Sequence, residues 1–558
     1  MPDQTLLAPE HLQTTAPTEL WLAGRQTASS TGKTFPVLDP ATGDVIARVA
    51  DASLEDATAA LDAAVDAFPL WSASSPRRRT DVLTRIFELV RERTEDFART
   101  MTLEMGKPLA EARGEVAYGN EYFRWAAEEA VRIPGRFGTA SQGNGHMLMT
   151  RTPVGPVLAI TPWNFPLAMA TRKIAPALAA GCPIIVKPSS DTPLTLLLLG
   201  EVITQAFAEF DVPAGLFSVL PGRGSAAMSE HLMSDRRLRK VTFTGSTPVG
   251  RTLVRQSAEH LQRTSMELGG NAPFVVAADA DIDAAVSGAM VAKMRNGGQV
   301  CVAANRFLVD TSVVEEFTTG FLAAVEGIHQ GNGFDDGVTL GPVITGRQRD
   351  EIHELVEDAV AAGARLLTGG EIPEGPGNFY PPTVLTDVPA DARILREEIF
   401  GPVATITTFD SLEEGVARAN DTEFGLAAYG YAGGVASAQY LTENLQAGMV
   451  ALNRGQLSEP AAPFGGVGQS GFGREGGTEG IEEYLDIRYI ALPCPPSPGH
   501  TAAHPPHQPR PPHKGAPAWP SPQDGKQNRP AIRTVPDAGT PPEASRTPEA
   551  GPPSARTN

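Results

Sequence analysis

A chain of 558 residues with 41% apolar and 20% charged side chains has the make-up of a water-soluble globular protein, long enough for two or three domains. Its formal net charge of −19 has the wrong sign for a phosphate-binding face or for adhesion to an anionic membrane, so neither nucleic acid nor a membrane surface is expected as a partner. Cys182, Cys301 and Cys494 are too few and too scattered for a disulfide framework or a zinc site, which points to a reducing cytoplasm and to no bound metal.

Residues 1–19 read as a polar N-terminal arm without the basic start and apolar run of a secretory signal. The spans Leu54 to Phe68 and Arg77 to Met105 carry apolar residues at three-and-four spacing, as in Val82, Leu83, Ile86, Leu89 and Val90, and predict helices that bury one face. From Gly155 the pattern changes to short apolar runs with helical stretches between them: Val157 to Thr161, Ile184 to Val186, Phe217 to Leu220 and Val241 to Phe243. Strand and helix in alternation imply a parallel α/β sheet. A second alternating region starts at Ala272 to Val276, runs through Arg306 to Val309 and the helices around Val314 to Ile328 and Arg347 to Ala361, and ends near Val450 to Leu452. The most apolar stretch, Leu194 to Phe210, is broken by Gly200 and Glu201 and falls short of the ~20 residues that cross a bilayer. Residues 494–558 differ in kind: 18 of these 65 positions are proline and apolar periodicity is lost, so a disordered tail is expected.

Two polar residues stand out by their setting. Cys301 ends the run Asn296-Gly297-Gly298-Gln299-Val300-Cys301, and Glu267 opens Glu267-Leu268-Gly269-Gly270-Asn271. Glycine beside a thiol admits a flat substrate, and glycine beside a carboxylate lets it move between partners, a pair suited to covalent catalysis on a carbonyl. Asn164, in Thr161-Pro162-Trp163-Asn164-Phe165-Pro166 after a predicted strand, can present an amide NH2 to an oxyanion. Lys187 and Ser190 follow the next strand. Gly245 and Ser246 join a strand to a helix with Pro248 in its first turn, a geometry that turns backbone NH groups toward a pyrophosphate. Glu398 lies in Glu397-Glu398-Ile399-Phe400-Gly401-Pro402.

In this order and spacing the set resembles the aldehyde dehydrogenase superfamily from about Leu20 to Leu492. The resemblance implies an α/β fold with a Rossmann-type cofactor domain (20–134 and 152–267), a catalytic domain (268–479) and oligomerisation segments (135–151 and 480–493), assembled as a homodimer or homotetramer. It makes Cys301 the nucleophile, Asn164 the oxyanion donor together with the Cys301 NH, and Glu267 the base that hydrolyses the thioester. Trp163, Lys187, Ser190, Gly245, Ser246 and Glu398 would hold the dinucleotide. Where relatives that prefer NAD often carry Glu, Ser190 leaves room for a 2′-phosphate, so NADP is expected as the preferred acceptor with NAD as the alternative. Retention of Glu267 speaks against transfer of the acyl group to coenzyme A.

Within the superfamily the closest likeness is to succinate-semialdehyde dehydrogenases, through Ala170-Thr171-Arg172-Lys173, Lys293-Met294-Arg295-Asn296 and Pro463-Phe464-Gly465-Gly466. Arg172, Arg295 and Ser458 match the residues used there for the substrate carboxylate, and guanidinium forks suit that group. A glutarate-semialdehyde or broad-specificity aldehyde dehydrogenase is the alternative. Val302-Ala303 stand where some of these enzymes have a second cysteine, so no local redox switch is expected. Cys182 is expected to be buried and inert.

Overall fold

The computed structural model describes residues 15–494, all within one compact unit, Met1–Cys494. Most of the expected N-terminal arm and the proline-rich tail beyond Cys494 lie outside the described residues.

The first sheet has eight strands, and its five central ones are parallel in the order Phe217–Val219, Ile184–Lys187, Val157–Ile160, Lys240–Thr244, Arg263–Glu267. The chain winds outward from Val157–Ile160 in one direction, then crosses over to Lys240–Thr244 and continues in the other. That reversal opens a crevice at the carboxyl ends of the two middle strands. The register aligns those ends: Ile160 lies beside Lys187, and Thr244 beside Glu267. These strands are buried on both faces, which is why they read as apolar runs without alternation.

A second sheet has seven strands in the order Arg365–Thr368, Thr383–Thr386, Val403–Phe409, Ala304–Asp310, Ala272–Val276, Ala427–Tyr431, Met449–Leu452, parallel except at its first pair. Its core is aromatic, with Phe274 stacked between Tyr429 and Tyr431 and against Phe307. A third, antiparallel sheet joins Arg136–Thr139, Gly145–Pro153 and Leu485–Pro493, which carries exposed Ile487 and Tyr489.

The expected helix over Arg77 to Met105 is two helices, Pro76–Glu92 and Thr94–Met105. Arg93 (φ −105°, ψ 24°) leaves helical geometry between them, so the apolar stripe turns with the chain instead of continuing. Periodicity alone hid this break, because the spacing resumes on the far side. Helix Ala168–Ala180 is buried along its whole length. Gly181 ends it at φ 100°, where a Cβ would sit 2.8 Å from the Arg79 guanidinium that caps the Ala179 and Ala180 carbonyls. That helix carries Arg172 and Lys173 into the interior. No helix among the described residues is long and apolar enough to cross a membrane.

Candidate active site

Cys301 follows a short turn, Arg295–Gly298, in which Asn296, Gly297 and Gly298 all have φ between 53° and 69°. At Gly298 a Cβ would lie 2.1 Å from the Gly401 carbonyl oxygen, so this backbone path demands glycine. The turn is pinned at Asn296, whose NH donates to the Glu111 carboxylate (3.0 and 3.1 Å) and whose side chain donates to the Asn164 carbonyl (3.0 Å). Cys301 thus emerges half-buried at a cavity of about 250 Å³. Phe165, Met169, Val300, Val302 and Phe464 give that cavity apolar walls, and Arg172, Arg295, Ser458, Lys107 and Glu111 bring polar groups to it. Burial pushes the Cys301 thiol up to about 12; Arg172 and Arg295 draw it down while Glu398 and Glu267 push it further up.

The Asn164 side chain faces the same loop. Its Nδ2 donates to the Gln299 carbonyl at 2.9 Å, two residues before the thiol, and Oδ1 has no partner. Glu267 ends its strand only 2% exposed, with neither carboxylate oxygen hydrogen-bonded. Burial first, then repulsion from Glu475, holds its carboxyl well above the usual range, with Arg172 and Lys173 opposing.

Glu475 is the partner that sequence reasoning missed. Burial disfavours its charge, but Arg172 and Lys173 outweigh that and hold it below the usual carboxylate range. The Arg172 Nε and Nη2 atoms both lie 2.5 Å from Glu475 Oε2, and Lys173 Nζ donates to Oε1 and to Thr244 Oγ1 (2.7 Å). A signal was present: Glu475-Gly476-Gly477 repeats the glycine setting of Glu267. Of the three expected carboxylate-binding residues, the cavity brings Arg172, Arg295 and Ser458 together, but Arg172 is already ion-paired and 1% exposed.

The expected dinucleotide residues line up along the carboxyl edge of the first sheet and beyond it. Trp163 packs edge-on against Phe400 at 5.4 Å. Glu398 Oε1 accepts from the Gly270 NH at 3.1 Å, and a Cβ on Gly269 would stand 2.5 Å from Oε2, so this carboxylate occupies a notch that glycine leaves open. Burial pushes Glu398 up to about 7. Exposed Ser246 precedes helix Thr247–Ser257 without capping it by its side chain, which leaves first-turn NH groups free. Lys187 is buried, donates to the Pro188 carbonyl at 2.7 Å and is pushed down to about 8 by burial. Ser190 lines a separate cavity of about 520 Å³ together with Arg223, and Lys187 is not among its lining residues. Arg223, set between Gly222 and Gly224 after the neighbouring parallel strand, lies over the Phe35 ring at 5.6 Å. It too escaped notice in the sequence. Cys182 is fully buried, and burial pushes its thiol up to about 11.

With this geometry in view, the comparisons with known proteins are informative. The model of the aldehyde dehydrogenase family matches residues 27–490. The chain is 54% identical to a succinate-semialdehyde dehydrogenase of Paenarthrobacter nicotinovorans, over 80% of this chain and 99% of that one. It is 45% identical to an NADP(+) succinate-semialdehyde dehydrogenase of Escherichia coli, over 83% of this chain and 95% of that one. A crystal structure of an NADP-dependent enzyme of E. coli superposes with a TM-score of 0.84 at 43% identity, covering 88% of this chain and all of the other.

Proposed function

The chain belongs to the aldehyde dehydrogenase family, and from that premise we propose that it oxidises succinic semialdehyde to the dicarboxylate with NADP, or more weakly NAD, as the hydride acceptor. The observation that carries this reading is the shared cavity. It sets the Cys301 thiol opposite apolar walls with the Arg295 guanidinium and the Ser458 hydroxyl, a match for a short aldehyde with a carboxylate at its far end.

The Cys301 thiol gives up its proton to solvent, its sulfur bonds to the aldehyde carbon as the carbonyl π bond opens, and the oxyanion that forms is met by the Asn164 amide and the Cys301 NH. Asn164 Nδ2 has a second hydrogen beyond the one given to Gln299, so the donor is in place before the reaction starts. Loss of hydride from that carbon, for which a bound nicotinamide would supply the acceptor, would leave a thioester on Cys301. Water then adds to the thioester as Glu267 removes its proton, the carbon–sulfur bond breaks, and the thiol is regenerated with release of the acid. Glu267 suits this role because its two oxygens are free of other donors.

The residues present fit a dinucleotide: Glu398 for the nicotinamide ribose, Gly245 and the helix start at Ser246 for the pyrophosphate, Trp163 beside them, and Lys187 with Ser190 near the adenosine ribose. Ser190 and Arg223 line one cavity, which favours a 2′-phosphate there. We assign 20–134 with 152–267 to cofactor binding and 268–479 to catalysis. Residues 135–151 and 480–493 supply most of the third sheet, whose exposed Phe137, Ile487 and Tyr489 suit pairing of copies into a homodimer or homotetramer in the cytoplasm.

Steady-state reduction of NADP and of NAD with succinic semialdehyde, glutaric semialdehyde and butanal tests this. A clear preference for the four-carbon semialdehyde with NADP is expected. Equal kcat/KM for butanal would remove the carboxylate from the account, and a preference for glutaric semialdehyde would move it to the longer substrate.

A further inference from the structure

We propose that Lys107 and Glu115, a buried ion pair, are positioning residues for the Asn164 amide, fixing the loop that carries it so that its NH2 meets the oxyanion. This deepens, and rests on, the reading that Asn164 donates to that oxyanion.

Asn164 lies midway along residues 161–167, the connection from strand Val157–Ile160 to helix Ala168–Ala180. The ion pair grips this connection at two places. Lys107 Nζ donates to the Asn164 carbonyl at 2.9 Å and to Glu115 Oε2 at 2.5 Å. Leu167, at the start of the helix, makes no side-chain cap, and Glu115 supplies one from outside: its Oε1 accepts the Leu167 NH at 2.9 Å and the Ala168 NH at 3.2 Å. Between the two grips the Phe165 ring lies 4.2 Å from the ammonium. The nucleophile turn is tied to the same carbonyl, to which Asn296 Nδ2 donates at 3.0 Å, while Asn164 Nδ2 donates to the Gln299 carbonyl at 2.9 Å.

The pair reaches the loop from fixed backbone. Gly106 ends helix Thr94–Met105 at φ 88°; a Cβ on it would stand 2.6 Å from Pro342 Cγ, and one on Gly341 would stand 2.1 Å from the Gly106 carbonyl oxygen, so the chain at 106 is wedged just before Lys107. Glu115 sits on helix Leu109–Ala130, and one turn further a Cβ on Gly119 would lie 3.0 Å from Ala168 Cα, so the two helices touch where the cap is made.

Both charged side chains are 1% exposed. Taking two charges out of water is costly, and a well-packed apolar pair of similar volume often serves a fold as well or better, so stability alone does not account for this pair. Its geometry does. Apolar side chains could offer neither a donor to the Asn164 carbonyl nor an acceptor to the two helix NH groups. Without Lys107 that carbonyl keeps the Asn296 amide as its donor among the described residues, and a drift on the order of 1 Å in a reacting group costs about 100-fold in rate.

The test uses the full-length enzyme in three forms: Lys107→Met with Glu115→Gln, Asn164→Ala alone, and all three changes together. Neutralising both partners leaves no lone buried charge, and the amide oxygen introduced at 115 can still accept the helix NH groups. Two rates are read. One is kcat/KM for succinic semialdehyde with NADP; the other is Cys301 alkylation by iodoacetamide without cofactor or aldehyde, a displacement of iodide that forms no oxyanion. Asn164→Ala is expected to lower kcat/KM by about 10²- to 10³-fold, the loss of one oxyanion donor. The neutralised pair is expected to lower kcat/KM by about 10- to 100-fold and to leave alkylation within about threefold of the parent. Added to Asn164→Ala it should cost less than about threefold more, because a residue that acts through Asn164 then has nothing left to position. Should the neutralised pair not fold, Glu115→Gln alone frees the ammonium from its anchor, and a loss of about 10-fold is judged by the same comparisons. Losses that multiply in the combined variant, alkylation slowed as much as turnover, or unchanged turnover in the neutralised pair each overturn the proposal while leaving the oxyanion reading intact. An Asn164→Ala enzyme as fast as the parent overturns the oxyanion reading itself, and the proposal with it.

Discussion

The Glu267 carboxyl lies in the field of Glu475, Arg172 and Lys173, and neither of its oxygens is hydrogen-bonded. Burial, and after it the repulsion from Glu475, keeps its proton on and also makes it a strong enough base to take one from water once deprotonated. Replacing Glu267 by Gln should leave the first turnover fast and stop the cycle at the thioester. The expected record is a burst of reduced cofactor equal to the enzyme concentration, followed by a steady rate down about 10²- to 10⁴-fold; a slow first turnover would instead place Glu267 before hydride transfer. Lys187 offers a second test at this scale. Burial holds its ammonium down to about 8, against the pull of Asp191 and Asp51, so the side chain is charged below that pH and neutral above it. If it helps bind a 2′-phosphate, the advantage of NADP over NAD in dissociation constant should shrink as pH rises through about 8. Titration by tryptophan fluorescence at several pH values checks this, and a ratio that does not change with pH rules Lys187 out of phosphate recognition.

At the scale of single elements, the turn before Cys301 and the Gly269–Gly270 turn do the positioning. Both rely on missing side chains: Gly298 avoids the Gly401 carbonyl, a Cβ on Gly270 would stand 2.7 Å from the Cys301 carbonyl oxygen, and Gly269 leaves the notch filled by Glu398. Gly269→Ala puts a methyl group at 2.5 Å from Glu398 Oε2, the end of a side chain that can swing away. It should therefore fold, lose the fixed position of Glu398, and bind either dinucleotide about 10-fold more weakly, the loss of one charge-assisted hydrogen bond. Isothermal titration measures it; unchanged affinity would show that Glu398 has no part in holding the cofactor. The helix Ala168–Ala180 does a different job. Because it is buried throughout, its two adjacent cations meet Glu475 from fixed positions, and the charge cluster costs no loop ordering.

Across the whole molecule, the crossover in the first sheet and the return of residues 471–475 from the far end of the sequence build one site. Strand Gly471–Phe472 pairs antiparallel with the end of Arg263–Glu267, and that pairing delivers Glu475 to the interior. The third sheet unites segments more than 300 residues apart, Gly145–Pro153 with Leu485–Pro493 in nine-residue register. Its exposed Ile487 and Tyr489 give the assembly prediction: Ile487→Asp should lower the mass in solution, read by light scattering, by disrupting contacts between copies, while the unfolding midpoint of the protomer moves little because the side chain is 67% exposed. An unchanged mass would remove this sheet from the interface.

What the amino-acid order determined by itself was local and periodic. Alternating apolar runs predicted two parallel sheets, and glycines beside Cys301, Glu267, Gly245 and Glu398 marked where backbone must pass close to something else, because a missing Cβ leaves a trace in the sequence. The break at Arg93 was invisible, since it falls between two stretches of the same spacing. The tertiary structure alone decided which charges pair. Arg172 and Arg295 are equivalent as letters, yet one is ion-paired with a carboxylate 303 positions away and the other enters no salt bridge among the described residues. Electrostatic partnership depends on distance in space and on burial, neither of which sequence spacing records, so the pairing of Arg172 and Lys173 with Glu475 appears only after the chain has folded.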